Sequence, residues 1–163
     1  MTINELSEFR NALGTSESSG NYSNDLGEYW GKYQFGEERR IDIEKILNLP
    51  HLTRAQFTPK MQETFFNAHI NDYEKRIFND KLDKFFGQTV TGKKNGITAQ
   101  INKFGLLGGA HLGGYSGMKK FLTSNYSYDP ADSLGTHISD YVAKFSQEKK
   151  TLICPHCSKK IIL

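Results

Sequence analysis

Glu17 heads a short polar segment, Glu17-Ser18-Ser19-Gly20-Asn21-Tyr22, and a glycine-framed block follows at Gly31-Lys32-Tyr33-Gln34-Phe35-Gly36. One carboxylate at the end of an amphipathic segment, followed by a polar stretch rich in aromatics, suits general-acid chemistry at a glycosidic oxygen. Such an acid must stay protonated near neutral pH, which burial against apolar groups arranges by penalising the anion. No Lys or Arg follows Glu17 within six residues, in keeping with that need. Asp25 and Glu28 lie 8 and 11 positions further on. An inverting hydrolase needs a distant base that leaves room for water, and a retaining one a nearer nucleophile. Either carboxylate is a candidate for such a role, and solvated turn residues are the alternative for both.

The elements that would position these groups read as mostly helical. Thr2-Ile3-Asn4-Glu5 fits a capping box, and Leu6, Phe9 and Leu13 then share one helical face. Gly14 reads as the terminator, which places Glu17 just past the end of that helix. Residues 20–36, rich in Gly, Asn, Ser and Tyr, suggest an irregular or short β-hairpin segment. A second helix is expected over 37–48 with Ile43, Ile46 and Leu47 buried. Thr58-Pro59 is a start signal. Phe66, Ile70, Tyr73 and Ile77 then predict a long helix reaching about Phe86.

Gly87 to Gly96 reads as a loop, and a further helix is expected from Thr98 with Ile101, Phe104 and Leu107 inward. That helix runs into Gly108-Gly109-Ala110-His111-Leu112-Gly113-Gly114. Each glycine costs a helix roughly 1 kcal/mol relative to alanine, so a close backbone or a ligand is expected beside them. A short helix near Met118–Leu122 and a last one from Thr136, with Ile138, Tyr141, Val142 and Phe145 inward, complete a mainly α (α+β) fold.

At 163 residues the chain suits one domain with one core. The expected division is a domain over 1–147 and a basic tail over 148–163. Eleven Phe and eight Tyr provide the apolar area that offsets chain entropy, which argues against global disorder. A net charge of +3 is too mild to single out nucleic acid as a partner. Glu37-Glu38-Arg39-Arg40 and Asp80-Lys81-Leu82-Asp83-Lys84 read as solvated helix surfaces. No apolar run approaches the roughly 18 residues that a bilayer span needs, so no membrane insertion is expected. The N-terminus lacks the basic and apolar regions of a Sec signal.

In the tail, Cys154 and Cys157 form a Cys-x-x-Cys knuckle around Pro155 and His156. Two thiolates at that spacing can grip Zn²⁺, but a structural site requires four ligands. His156 with another group, or a second chain, would complete the set; otherwise the pair is unligated.

Three blocks together resemble the lysozyme-like superfamily, particularly soluble lytic transglycosylases and goose-type lysozymes. Glu17-Ser18-Ser19-Gly20 looks like the glutamate motif of that group. Gly31-Lys32-Tyr33-Gln34-Phe35-Gly36 looks like its second motif, usually Gly-Leu-Met-Gln. Ala110-His111-Leu112-Gly113-Gly114 stands in place of the third, usually Ala-Tyr-Asn-x-Gly. The resemblance runs over about residues 6–145 and implies a helical bundle around a cleft. It implies that Glu17 protonates the leaving oxygen between N-acetylmuramic acid and N-acetylglucosamine, without a catalytic cofactor. In a transglycosylase the same carboxyl then acts as base, no second carboxylate is needed, and a 1,6-anhydro sugar results.

By the same resemblance Gln34 contacts substrate or orients Glu17, and Tyr33 flanks the cleft. Trp30 would stack on a sugar or anchor the core. His111 stands where the family usually has Tyr and would contact substrate or serve its helix, and Tyr115 and Ser116 would line the cleft or close the turn. The implied partners are peptidoglycan glycan strands and, for a toxic cargo, an immunity protein that plugs the cleft. The expectation is a protein made in the cytoplasm that reaches the wall, in the periplasm or a target cell, through a holin or a secretion system. Two other readings stay open: a non-catalytic glycan-binding module on the same scaffold, and a Zn-dependent interaction protein working through the knuckle.

Overall fold

The computed structural model describes residues 3–147, 151–153 and 160–162. The fold is mainly α with small antiparallel sheets. The chain divides into two compact units, residues 1–81 and 82–163.

In the first unit α1 spans Ile3–Ser18, and a hairpin of β1 (Asp25–Leu26) and β2 (Tyr29–Trp30) follows. α2 (Glu37–Ile46) and α3 (Pro59–Asn79) complete the unit, with a 3-10 turn at Arg54–Gln56 between them. Thr58 caps α3 as its sequence predicts, its hydroxyl accepting from Met61 N at 3.3 Å with Pro59 in the first turn. Phe66, Ile70, Tyr73 and Ile77 are all buried and form its inner stripe.

α1 does not stop at Gly14. It continues to Ser18, where Ser19 and Gly20 take positive φ (55° and 79°) and their N–H groups close on Thr15 O and Gly14 O. Glu17 therefore belongs to the last helical turn. α3 also ends earlier than its apolar pattern suggests. Lys81 takes φ 55°, and Leu82–Phe85 form a separate 3-10 turn with Leu82 buried. Ile46, expected inside, is 48% exposed, because α2 buries the face carrying Arg40, Ile43 and Glu44 instead.

The second unit opens with that 3-10 turn and the pair β3 (Thr89–Thr91) and β4 (Thr98–Gln100), joined with Val90 opposite Ala99. The segment expected as a loop and a helix start is thus a hairpin, and helix α4 (Lys103–Thr123) begins only after Asn102, whose side chain accepts from Gly105 N. α5 (Ile138–Ser146) lies against α4, and its Ile138, Tyr141, Val142 and Phe145 are buried as expected. The glycines of α4 make this contact. A β-carbon on Gly109 would lie 2.5 Å from Val142 Cγ2, and one on Gly105 would lie 2.6 Å from the backbone oxygen of Val142. The close neighbour that the glycine run calls for is α5. At Gly114 (φ 67°, ψ 161°) α4 breaks into two helical pieces.

Asp140 ties this unit together. Its carboxylate accepts from the N–H groups of Lys94, Asn95 and His137 at 2.8–2.9 Å, so one side chain caps α5 and holds the β3–β4 loop. In the C-terminal segment β5 (Thr151–Ile153) pairs with β6 (Lys160–Ile162). Among the described residues no helix is long and apolar enough to cross a membrane.

Candidate active site

Glu17 is half-buried on the last turn of α1. The backbone after it is fixed by two adjacent residues of α3. Gln62, 1% exposed, accepts from Lys32 N at 2.8 Å through Oε1 and donates through Nε2 to Tyr22 O and Phe57 O at 3.0 Å. It thus closes residues 22–32 into a loop held at both ends. Gly31, at φ 75°, lets the chain pass: a β-carbon there would overlap the Gln62 carboxamide.

Glu63 holds the same two residues through their side chains. Its Oε1 accepts from Tyr22 and Tyr33 hydroxyls at 2.6 Å each and from Lys32 Nζ at 3.3 Å. Its Oε2 faces Arg10 Nε at 3.2 Å, an ion pair too poorly aligned to count as a hydrogen bond. Burial by itself would raise the Glu63 pKa. The hydrogen bonds from Tyr22 and Tyr33 and the Lys32 ammonium outweigh it and hold the carboxyl below its usual range. Burial, with the anionic Glu63 beside it, pushes the Tyr33 phenol far above its ordinary value.

Three of the sequence candidates sit in the block that follows. Tyr33 is fully buried and stacks on Phe66 with centroids 4.5 Å apart, so its ring belongs to the core rather than flanking an open cleft. Gln34 takes φ 47° and donates from Nε2 to Gly31 O at 2.7 Å, while its Oε1 is buried and without a partner among the described residues. Trp30 has one face under the Arg40 guanidinium, 3.6 Å from the ring centroid, its ring against Phe57 and its Nε1 donating to Gly27 O. That residue is the hairpin's anchor.

Arg40, expected on a solvated surface, is 4% exposed and donates to Glu28 O and Phe35 O at 2.8 and 2.6 Å. The reading of Glu37-Glu38-Arg39-Arg40 as a solvated face thus fails at its last residue: α2 packs with that guanidinium inward, where it reaches the carbonyls of Glu28 in the hairpin and of Phe35 just after it.

Asp25 and Glu28 are both exposed. Asp25 accepts from Arg54 Nε at 3.0 Å and from Gly27 N at 3.1 Å, and Glu28 occupies the hairpin tip. His111, Tyr115 and Ser116 belong to the second unit, on α4. His111 is half-buried ahead of the Gly114 break, Tyr115 is buried just after it, and Ser116 is exposed. Cys154 and Cys157 lie outside the described residues. Among the described residues no cluster of His, Cys, Asp and Glu is arranged to hold a metal ion.

Sequence reasoning passed over Gln62, Glu63 and Lys32. The first carried a signal. Gln62 lies four residues before Phe66, in register with the buried stripe of α3, and a polar residue at a core position must find partners there.

No family model, curated protein or solved structure matches this chain.

Proposed function

We propose that the protein is a peptidoglycan-cleaving glycosidase with a lysozyme-like fold, acting on the β-1,4 bond between N-acetylmuramic acid and N-acetylglucosamine. Glu17 is the general acid. The observation that carries this reading is the order and spacing of three motifs, at Glu17, Gln34 and His111. Two features of the first unit support it. Glu17 sits on a helical turn, a rigid platform for a proton donor, and Gln34 of the second motif has a buried carboxamide oxygen without a partner among the described residues.

Asp25 and Glu28 are the weaker part of a two-carboxylate scheme, because one is engaged by Arg54 and both are exposed. A single-carboxyl mechanism therefore fits better. Glu17 gives its proton to the leaving oxygen, the substrate's acetamido oxygen supports the sugar cation, and the Glu17 carboxylate then takes a proton from water or from the sugar 6-hydroxyl.

The test is digestion of purified sacculi by wild type and by Glu17→Gln, each shown folded. Wild type is expected to release soluble fragments and Glu17→Gln none. Mass spectrometry of the ends separates the two chemistries: anhydro ends mark a transglycosylase, reducing ends a hydrolase. Equal release by the two proteins refutes the assignment of Glu17, and binding without release makes the chain a glycan-binding module.

A further inference from the structure

We infer that Glu63 is a positioning residue for Glu17, acting through Lys32 and Arg10 to fix the pitch and rotation of the last turns of α1. The inference rests on the reading of Glu17 as the acid.

The connection can be followed atom by atom. The Lys32 stem lies along the α1 face that carries Gly14 and Ser18. A β-carbon on Gly14 would be 2.5 Å from Lys32 Cε, and Ser18 Oγ donates to Lys32 O at 2.8 Å. Residues 14, 17 and 18 are helical neighbours at spacings of three and four, so the surface Lys32 covers adjoins Glu17. Lys32 is 7% exposed, and its ammonium reaches Glu63 Oε1 at 3.3 Å and the Tyr22 hydroxyl at 3.2 Å. A buried ammonium without an anion would leave this position. Without Glu63 the stem that braces the final turn has no fixed end.

Glu63 grips α1 a second time two turns earlier, where Arg10 Nε faces Oε2 at 3.2 Å and Arg10 Nη2 donates to Asn67 Oδ1 at 2.7 Å. It grips the chain beyond Glu17 a third time at Tyr22. Arg10, Lys32 and Tyr22 thus anchor the segment on both sides of Glu17 to one carboxylate. That carboxylate cannot also serve as a catalytic base, since Oε1 already accepts three donors and Oε2 is turned to a guanidinium.

The experiment measures fragment release and sacculus binding for Glu63→Leu, Glu63→Gln, Lys32→Met and the Lys32→Met/Glu63→Leu double variant, with rates scaled to folded protein. Glu63→Leu is expected to slow release on the order of 10²-fold while pelleting with sacculi as wild type does. Glu63→Gln still accepts from both tyrosines but removes the anion that Lys32 and Arg10 face, so it is expected to slow release nearly as much as Glu63→Leu. The double variant is expected to be no slower than the worse single one, since both act through one contact. Should Glu63→Leu fail to fold, Lys32→Met carries the same comparison. A folded Lys32→Met, Glu63→Gln or Glu63→Leu protein with wild-type release overturns the inference. So does loss of binding in step with rate, or a Glu63→Gln protein as inactive as Glu17→Gln. A wild-type protein that binds sacculi and releases nothing instead refutes the proposed activity, and the positioning role falls with it.

Discussion

Gln62 fills the space that a side chain at position 31 would need. Its carboxamide passes under Gly31 to reach Lys32 N on one side and Tyr22 O on the other, and Gly31 itself takes φ 75°. Alanine at position 31 therefore meets both a disfavoured backbone region and an atom it cannot displace without breaking hydrogen bonds in the core. Gly31→Ala is expected to destabilise the protein by roughly 2 kcal/mol or more, read as a lower urea midpoint.

Two glycines of α4 should respond in opposite ways. Alanine in a helix gains about 1 kcal/mol over glycine. At Gly105 the new methyl would press on the backbone oxygen of Val142, which cannot rotate aside, and overpacking costs about 1–3 kcal/mol. Gly105→Ala is expected to lower stability. At Gly117 the nearest atom, Ile138 Cδ1, is 3.5 Å away, an ordinary contact, so Gly117→Ala is expected to raise stability by up to ~1 kcal/mol. Urea unfolding of the two variants decides both.

Acid should weaken the fold through Glu63 and Asp140. For each, burial alone would raise the pKa. Tyr22, Tyr33 and Lys32 reverse this for Glu63, and the N–H groups of Asn95, His137 and Lys94 do so for Asp140. Both carboxyls end below their usual range, about 4 in an unfolded chain. The unfolded state then takes up protons first. The stabilisation is fully present above that value and is lost as pH falls through the lower folded-state pKa values. Thermal midpoints measured from neutral pH downward should fall steeply in wild type. Glu63→Gln and Asp140→Asn should start lower and fall less steeply.

The sole tryptophan reports on the hairpin. Arg40 covers one face of Trp30 and satisfies the carbonyls of Glu28 and Phe35. Arg40→Ala is expected to cost roughly 2 kcal/mol or more and to shift Trp30 emission to longer wavelength as water reaches the ring.

The helices were legible where a cap and a period agreed. Thr58-Pro59 with Phe66, Ile70, Tyr73 and Ile77 located α3, and Ile138, Tyr141, Val142 and Phe145 located α5. Where a residue type has two uses, the sequence misled. Gly14 resembles a terminator, but its missing side chain makes room for Lys32, and the helix passes through it to Ser18. Thr98 to Ile101 is too short for a period to separate strand from helix, and its pairing with Thr89–Thr91 is a non-local fact. Arg40 looked solvated because its partners are backbone carbonyls of the hairpin, which no side-chain pattern displays. Glu63 was invisible for a related reason: its significance lies in Arg10, Tyr22, Lys32 and Tyr33, which the chain delivers from two other segments.

Gly114 divides the 21 residues of α4 by handedness rather than by crowding. Its φ of 67° with ψ of 161° is nearly closed to L-amino acids, yet nothing lies within 4 Å of where a β-carbon would stand. The penalty for a side chain there belongs to the backbone alone. A series from alanine to leucine at position 114 should therefore give a nearly constant loss of stability. The same series at Gly109, where Val142 stands in the way, should give a loss that climbs with volume. One helix thus holds a chirality filter and a size filter five residues apart.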